Sequence, residues 1–196
     1  MTGAVLAGGT SLHATGVIYG ESGVLILGPS GSGKSALALA LMARASASGA
    51  FSALIGDDRV FVSEADGRLI ARGAANVAGL IERRTAGLIR VRHEPAAVMR
   101  LAVELCERGR RWPRMPEEDD GLMVGEVTLP RLALDSGLSV CDQALAVGER
   151  LAVLAAESPA RLGISLEHCA AVHKNGRQEI RRRPDWRRSV SRSTDG

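Results

Sequence analysis

Residues 28–35 read GPSGSGKS, between an apolar run, VLIL (24–27), and a stretch of alanine and leucine, ALALALMARA (36–45). The pattern G-x-x-x-x-G-K-[ST] is a phosphate-cradling loop when a strand leads into it and a helix leaves it. Both flanks fit: VLIL has the length and composition of a buried strand, and Ser35 to about Ala45 has the composition of a helix. Glycines at 28, 31 and 33 allow a tight turn in which successive N–H groups point at one anion, with the dipole of the following helix behind them. Gly28, Pro29, Ser30, Gly31, Ser32, Gly33, Lys34 and Ser35 therefore form the candidate cradle. Lys34 supplies a point charge to the β and γ phosphates and Ser35 a hydroxyl for Mg²⁺.

On the N-terminal side, residues 12–20 (LHATGVIYG) alternate as a strand and end in a turn that returns into VLIL. On the C-terminal side, SALIGDD (52–58) is a short apolar strand finishing on Asp57 and Asp58, and Asp66-Gly67 is a hairpin turn between RVFVS and RLIAR. AAVMRLAVEL (96–105) is ambiguous by periodicity and is read as a strand. EVTLPRLAL (126–134) is an edge strand, since Pro130 cannot donate to a ladder. Residues 142–157 are read as a helix with Leu145, Leu151, Val153 and Leu154 inward, and a short second helix is expected over 166–172. The order of strands and helices specifies an α/β fold with a P-loop nucleotide-binding core.

At 196 residues, 45% hydrophobic and 24% charged, the chain fits one domain with a sizeable, mainly aliphatic core, since aromatics make up only 3%. The formal charge of +3 is uneven: residues 174–196 hold eight Lys or Arg against three Asp or Glu, leaving the preceding 173 near −2. The expected organisation is a domain over 1–173 and a basic, solvated tail over 174–196, with nucleic-acid binding disfavoured for the folded body. Cys106, Cys141 and Cys169 are too widely spaced for a disulfide framework or zinc site and are read as buried thiols. No leader or membrane-length apolar run is seen, so the expectation is a cytoplasmic protein with no membrane partner.

Asp57 and Asp58 end a strand where an α/β sheet presents ligands. A carboxylate there can hold Mg²⁺, and a second can take the proton of an attacking hydroxyl; the alternative is a turn aspartate followed by a solvated one. His13 in an alternating strand is as often a structural residue as a site residue. Glu82 and Arg114 are, taken singly, ordinary solvated charges. Arg114, however, lies in RGRRWPRMPEEDDG (108–121), a segment long enough to suggest a functional loop.

Taken together, SLHATGV, GPSGSGKS, LIGDDRV, GLIERRTAGLIRV and RWPRMP, in this order and with 21 residues from His13 to Lys34, resemble the catalytic domain of bacterial HPr kinase/phosphorylase. The resemblance covers roughly residues 8–135. It implies a mixed sheet with flanking helices, akin to the phosphoenolpyruvate carboxykinase core, and an ATP- and Mg²⁺-dependent transfer to a serine of HPr, the phosphocarrier of the sugar phosphotransferase system. It also implies the reverse reaction with inorganic phosphate, giving pyrophosphate.

By the same resemblance Asp57 exchanges the proton of the target serine, Asp58 and Glu82 join Ser35 around Mg²⁺, His13 lies near the transferred phosphate, and Arg114 serves mainly dephosphorylation. A homo-oligomer, commonly a hexamer, is implied, as is a short form that starts almost at the catalytic strand. Two departures stand out. The family's E-V-R-G-L-G reads Glu82-Arg83-Arg84-Thr85-Ala86-Gly87 here, and a threonine at 85 would not take up a positive φ at glycine's low cost, which would weaken phosphorolysis. Extra residues in ASASGAFSA (45–53) are expected to lengthen a surface turn harmlessly. Two other readings remain: a small-molecule kinase, and a nucleotide-sensing module without catalysis.

Overall fold

The computed structural model describes residues 10–107, 109 and 121–157, as eleven strands and two α-helices. The order is β1 (Thr10–Leu12), β2 (Ala14–Tyr19), β3 (Ser22–Leu27), α1 (Lys34–Ala47), β4 (Ser52–Gly56), β5 (Val60–Ala65), β6 (Arg68–Gly73), β7 (Leu80–Arg83), β8 (Gly87–Arg90), β9 (Ala96–Cys106), β10 (Gly121–Val124), β11 (Val127–Asp135) and α2 (Val140–Glu157). The main sheet runs β1-β5-β6-β9-β3-β2-β4, with β11 also beside β9 and β10 beside β11; β7 and β8 form a separate hairpin. The sheet is mixed. β3 lies parallel to β9 and β9 to β11, whereas β2 is antiparallel to both β3 and β4.

VLIL is uninterrupted because β3 is an interior strand of the mixed sheet, buried on both faces. Side chains alternate across it. Val24 and Ile26 join Leu54, Leu101, Val103 and Leu105 beneath α1 and α2, while Leu25 joins Ile55, Val60, Val62, Leu69 and Ala102 on the other face, under the β5–β6 hairpin. The same pairing decides the ambiguous stretch 96–105. It becomes an eleven-residue strand because β6, β3 and β11 each pair with part of it. Asp66 and Gly67, at φ 51° and 66°, make the expected hairpin turn with left-handed residues at both central positions. β11 pairs with β10 up to Pro130 and with β9 from Arg131 onward, so the proline stands at the hand-over between partners.

Three expectations need correcting. The helix after the loop runs two residues past Ala45, so part of ASASGAFSA is helical and only Ser48–Phe51 bridges to β4. In α2, Leu145 and Val153 are exposed; the inward face is Gln143, Ala144, Val147 and Leu151, because helical phase outweighs residue type and Gln143 satisfies itself on the carbonyls of Asp135 and Leu138. Cys106 is buried at the end of β9, but Cys141 is exposed in the first turn of α2. Cys169, Arg114, the helix expected over 166–172 and the tail lie outside the described residues.

Candidate phosphate-binding site

The crossover from β3 to α1 is made by residues whose backbone a side chain would strain. Gly28, Gly31 and Gly33 sit at φ 142°, 77° and 100°, and Gly33 hands directly to the first helical residue, Lys34. Within the turn the Ser32 hydroxyl is buried and has no hydrogen-bond partner among the described residues, an expensive state unless a ligand answers it. Lys34 is only 5% exposed. Its ammonium is folded back at 3.1 Å onto the carbonyls of Gly28 and Pro29 and onto Nε2 of His13. His13 Nδ1 lies 3.1 Å from the carbonyl of Asp58. A carbonyl only accepts, so the Nδ1–H tautomer is the one that leaves Nε2 free to accept from lysine.

β4 stops at Gly56, two residues before the strand read from sequence, and the aspartates form the bend after it. Gly56 makes this possible, since a Cβ there would come 2.9 Å from the Cα of Gly73 on β6. Asp57 turns toward the loop. Its Oδ1 accepts from Thr15 Oγ1 at 2.7 Å and Ser35 Oγ at 2.9 Å, and its Oδ2 from Ser35 Oγ and from the Glu82 backbone N–H, both at 3.1 Å. Three donors thus make four contacts, two on each oxygen, the single Ser35 hydrogen being shared between the two. Asp58 takes a left-handed conformation, φ 61°, and is exposed. The two aspartates thus differ in their surroundings: Asp57 is bonded to the loop, while Asp58 is exposed.

A cleft of about 830 Å³ opens over the loop, walled by α1 and by the β7–β8 turn. α1 is apolar on two sides for this reason: Leu37, Ala38, Leu41 and Ala45 pack on the sheet, while Ala36, Leu39, Ala40 and Ala43 line the cleft. A second groove, about 300 Å³, lies beyond Asp58 and Glu82, which border both spaces; Asp57, Val77 and Leu88 line it. Val77 and Leu88 are exposed apolar residues, Leu88 at 68%.

The structure therefore brings together His13, Lys34, Ser35, Asp57, Asp58 and Glu82. Thr15, fully buried and bonded to Asp57, was not singled out from sequence; its position two residues after His13 in an alternating stretch was the available signal. No group of three or more His, Cys, Asp or Glu among the described residues could cage a metal. The donors fit Mg²⁺, which binds through one or two carboxylates together with substrate phosphates and water. No helix among the described residues is long and apolar enough to cross a membrane.

The family model described as the HPr Serine kinase C-terminal domain matches residues 4–112. The HPr kinase/phosphorylase of Bacillus licheniformis is 31% identical over 140 residues, 66% of this chain and 43% of that protein. That of Clostridium beijerinckii is 40% identical over 86 residues, 44% of this chain and 26% of that protein. The chain thus spans less than half the length of these curated relatives. Among solved structures, the Hpr(Ser) kinase/phosphatase from Coxiella burnetii matches with a TM-score of 0.60 at 20% identity, over 76% of this chain and 99% of that one, a likeness of fold.

Proposed function

Since the chain belongs to the HPr Serine kinase C-terminal domain family, we propose that it transfers a phosphoryl group from Mg²⁺-bound ATP to a serine of HPr or an HPr-like phosphocarrier, and returns it to inorganic phosphate as pyrophosphate. The observation that carries the reading is the join between Ser35 of the phosphate loop and the Asp57 carboxylate, at 2.9 Å, beside an unsatisfied Ser32 hydroxyl. Phosphoryl transfer asks for positioned charge rather than covalent chemistry, and a network of this kind supports the reading.

In this reading residues 28–35 hold the polyphosphate, with the nucleoside along the apolar face of α1. Ser35, Asp58 and Glu82 would hold Mg²⁺, which supplies charge neutralisation between the phosphates. Asp57 takes the serine proton, and gives it back in phosphorolysis. The partner's serine arrives through the second groove, whose apolar rim at Val77 and Leu88 suits a protein surface. His13, which shares Lys34 in the free protein, faces the transferred phosphate once lysine turns to the nucleotide. Arg114 keeps the role implied by resemblance. One observation favours exchanged roles for the aspartates: Asp57 already bonds the metal-ligating serine, while Asp58 borders both cleft and groove.

The test is a transfer assay with HPr, labelled ATP and Mg²⁺, followed by addition of phosphate and detection of pyrophosphate. Labelled HPr and then pyrophosphate are expected. Asp57→Ala should retain ATP binding and lose transfer by about 10²- to 10⁴-fold, the range for removing a positioned base. Transfer lost instead in Asp58→Ala, and kept in Asp57→Ala, would exchange the two roles. Transfer to a metabolite but not to HPr would mark a small-molecule kinase, and binding without turnover a sensor.

A further inference from the structure

The guanidinium of Arg84 lies over the phosphate loop: its Nη2 is 3.1 Å from where a Cβ on Gly31 would be. It shares the cleft with Gly31, Gly33 and Lys34. Its position is set by the hairpin. Leu80–Arg83 and Gly87–Arg90 pair with Arg83 opposite Gly87, the Ala86 N–H closes on the Arg83 carbonyl at 2.9 Å, and the Glu82 N–H ties the strand to Asp57. Arg84 is thus the first residue of a short turn, two positions from an anchor on the catalytic aspartate.

Arg84 makes no hydrogen bond or ion pair with any described residue, although the carboxylates Asp58 and Glu82 line the same cleft. Lys34 differs, its ammonium being engaged by three acceptors that a ligand must displace. A guanidinium placed over the main chain of the loop matches the planar, bidentate recognition of phosphate oxygens. We propose that Arg84, which the Gly31 contact sets over the loop and which shares the cleft with Arg83, is a direct ligand of the bound polyphosphate, contacting a phosphoryl group beyond the α position. The proposal rests on residues 28–35 binding polyphosphate. It adds a residue to which composition and spacing gave no role.

Calorimetric titration of the full chain with ATP, pyrophosphate and AMP separates the two ideas. Arg84→Gln should weaken ATP and pyrophosphate by about 10- to 100-fold, the loss expected for a hydrogen bond to a charged group, and leave AMP nearly unchanged. Arg84→Lys should fall between, as a point charge cannot reproduce the fork. Wild-type protein that binds neither ATP nor pyrophosphate, or a Lys34→Met variant that binds them like wild type, would remove the phosphate-cradle reading itself. If Lys34→Met loses binding and Arg84→Gln does not, only the Arg84 proposal falls. Phenylglyoxal labelling of the unmutated chain, read by mass spectrometry, is independent of variant folding. Pyrophosphate should shield Arg84 and leave the exposed Arg68 reactive; equal labelling of Arg84 with and without pyrophosphate would overturn the assignment.

Discussion

The loop Gly28–Ser35 and the turn Arg84–Ala86 face one cleft from opposite sides, yet they are held by different means. Around the loop, Lys34 spends its ammonium on three acceptors, Ser35 and Thr15 spend their hydroxyls on Asp57, and the strands on either side are buried on both faces. The turn rests on the pairing of two four-residue strands and one tie from the Glu82 N–H, and residues 82–88 are all exposed. A cradle must present its donors in place before the ligand arrives, since reorganising them would consume binding free energy. On the proposal for Arg84 the turn must let the ligand in, which suits the lightly held end of the range of local stability.

The sharpest way to break this comparison is at its centre. Lys34→Met removes the cation built into the rigid side and leaves the carbonyls of Gly28 and Pro29 without it. Transfer should fall by about 10²- to 10³-fold, as for loss of one preorganised charge-stabilising group. Arg84→Gln, on the looser side, should lose less. A steady-state assay of both variants against one substrate ranks them, and a greater loss at Arg84 would reverse the division between cradle and turn.

Thr15→Val probes the support rather than the ligand contact. It deletes the 2.7 Å bond to Asp57 from a residue that is 0% exposed, and a buried carboxylate bond of this kind contributes about 1.5–3 kcal/mol. Transfer should drop by about tenfold with ATP affinity nearly constant, because the carboxylate loses orientation while the cradle keeps its donors. Denaturant unfolding run in parallel measures the stability lost. If ATP affinity fell as far as turnover, Thr15 would be supporting the loop and not Asp57.

The strand-turn-helix over residues 24–47 could be read because every conformational demand of the turn has a residue type that answers it, and the flanking strand and helix are each local. The aspartate pair was legible for a similar reason, as a polar end to an apolar strand. What the sequence did not disclose depends on three-dimensional phase and on contacts distant in the chain. Thr15 meets Asp57 across 42 residues of sequence, which no spacing rule reaches. The inward face of α2 includes Leu151 as read from sequence, but also Gln143 and Ala144, and it omits Leu145 and Val153, so picking the largest apolar side chains found only part of the face. Asp58 turns through a left-handed conformation that its residue type permits but does not announce.

The smallest predicted effect concerns the departure at residue 85. The expectation that threonine there would meet a left-handed requirement does not hold: Thr85 is not among the positive-φ residues, and the left-handed position of the hairpin is taken by Gly87 at φ 71°. A three-residue turn closed by the Ala86 N–H and followed by a left-handed glycine is a common hairpin geometry, and it leaves Thr85 in ordinary backbone. Thr85→Gly should therefore destabilise the protein slightly, by about 0.4–1 kcal/mol, through added freedom of the unfolded chain. Gly87→Ala should destabilise by more, about 1–2 kcal/mol, because an alanine Cβ meets the following carbonyl in the left-handed conformation. Urea unfolding of the two variants decides the order. Stabilisation by Thr85→Gly would mean that the turn carries strain at 85.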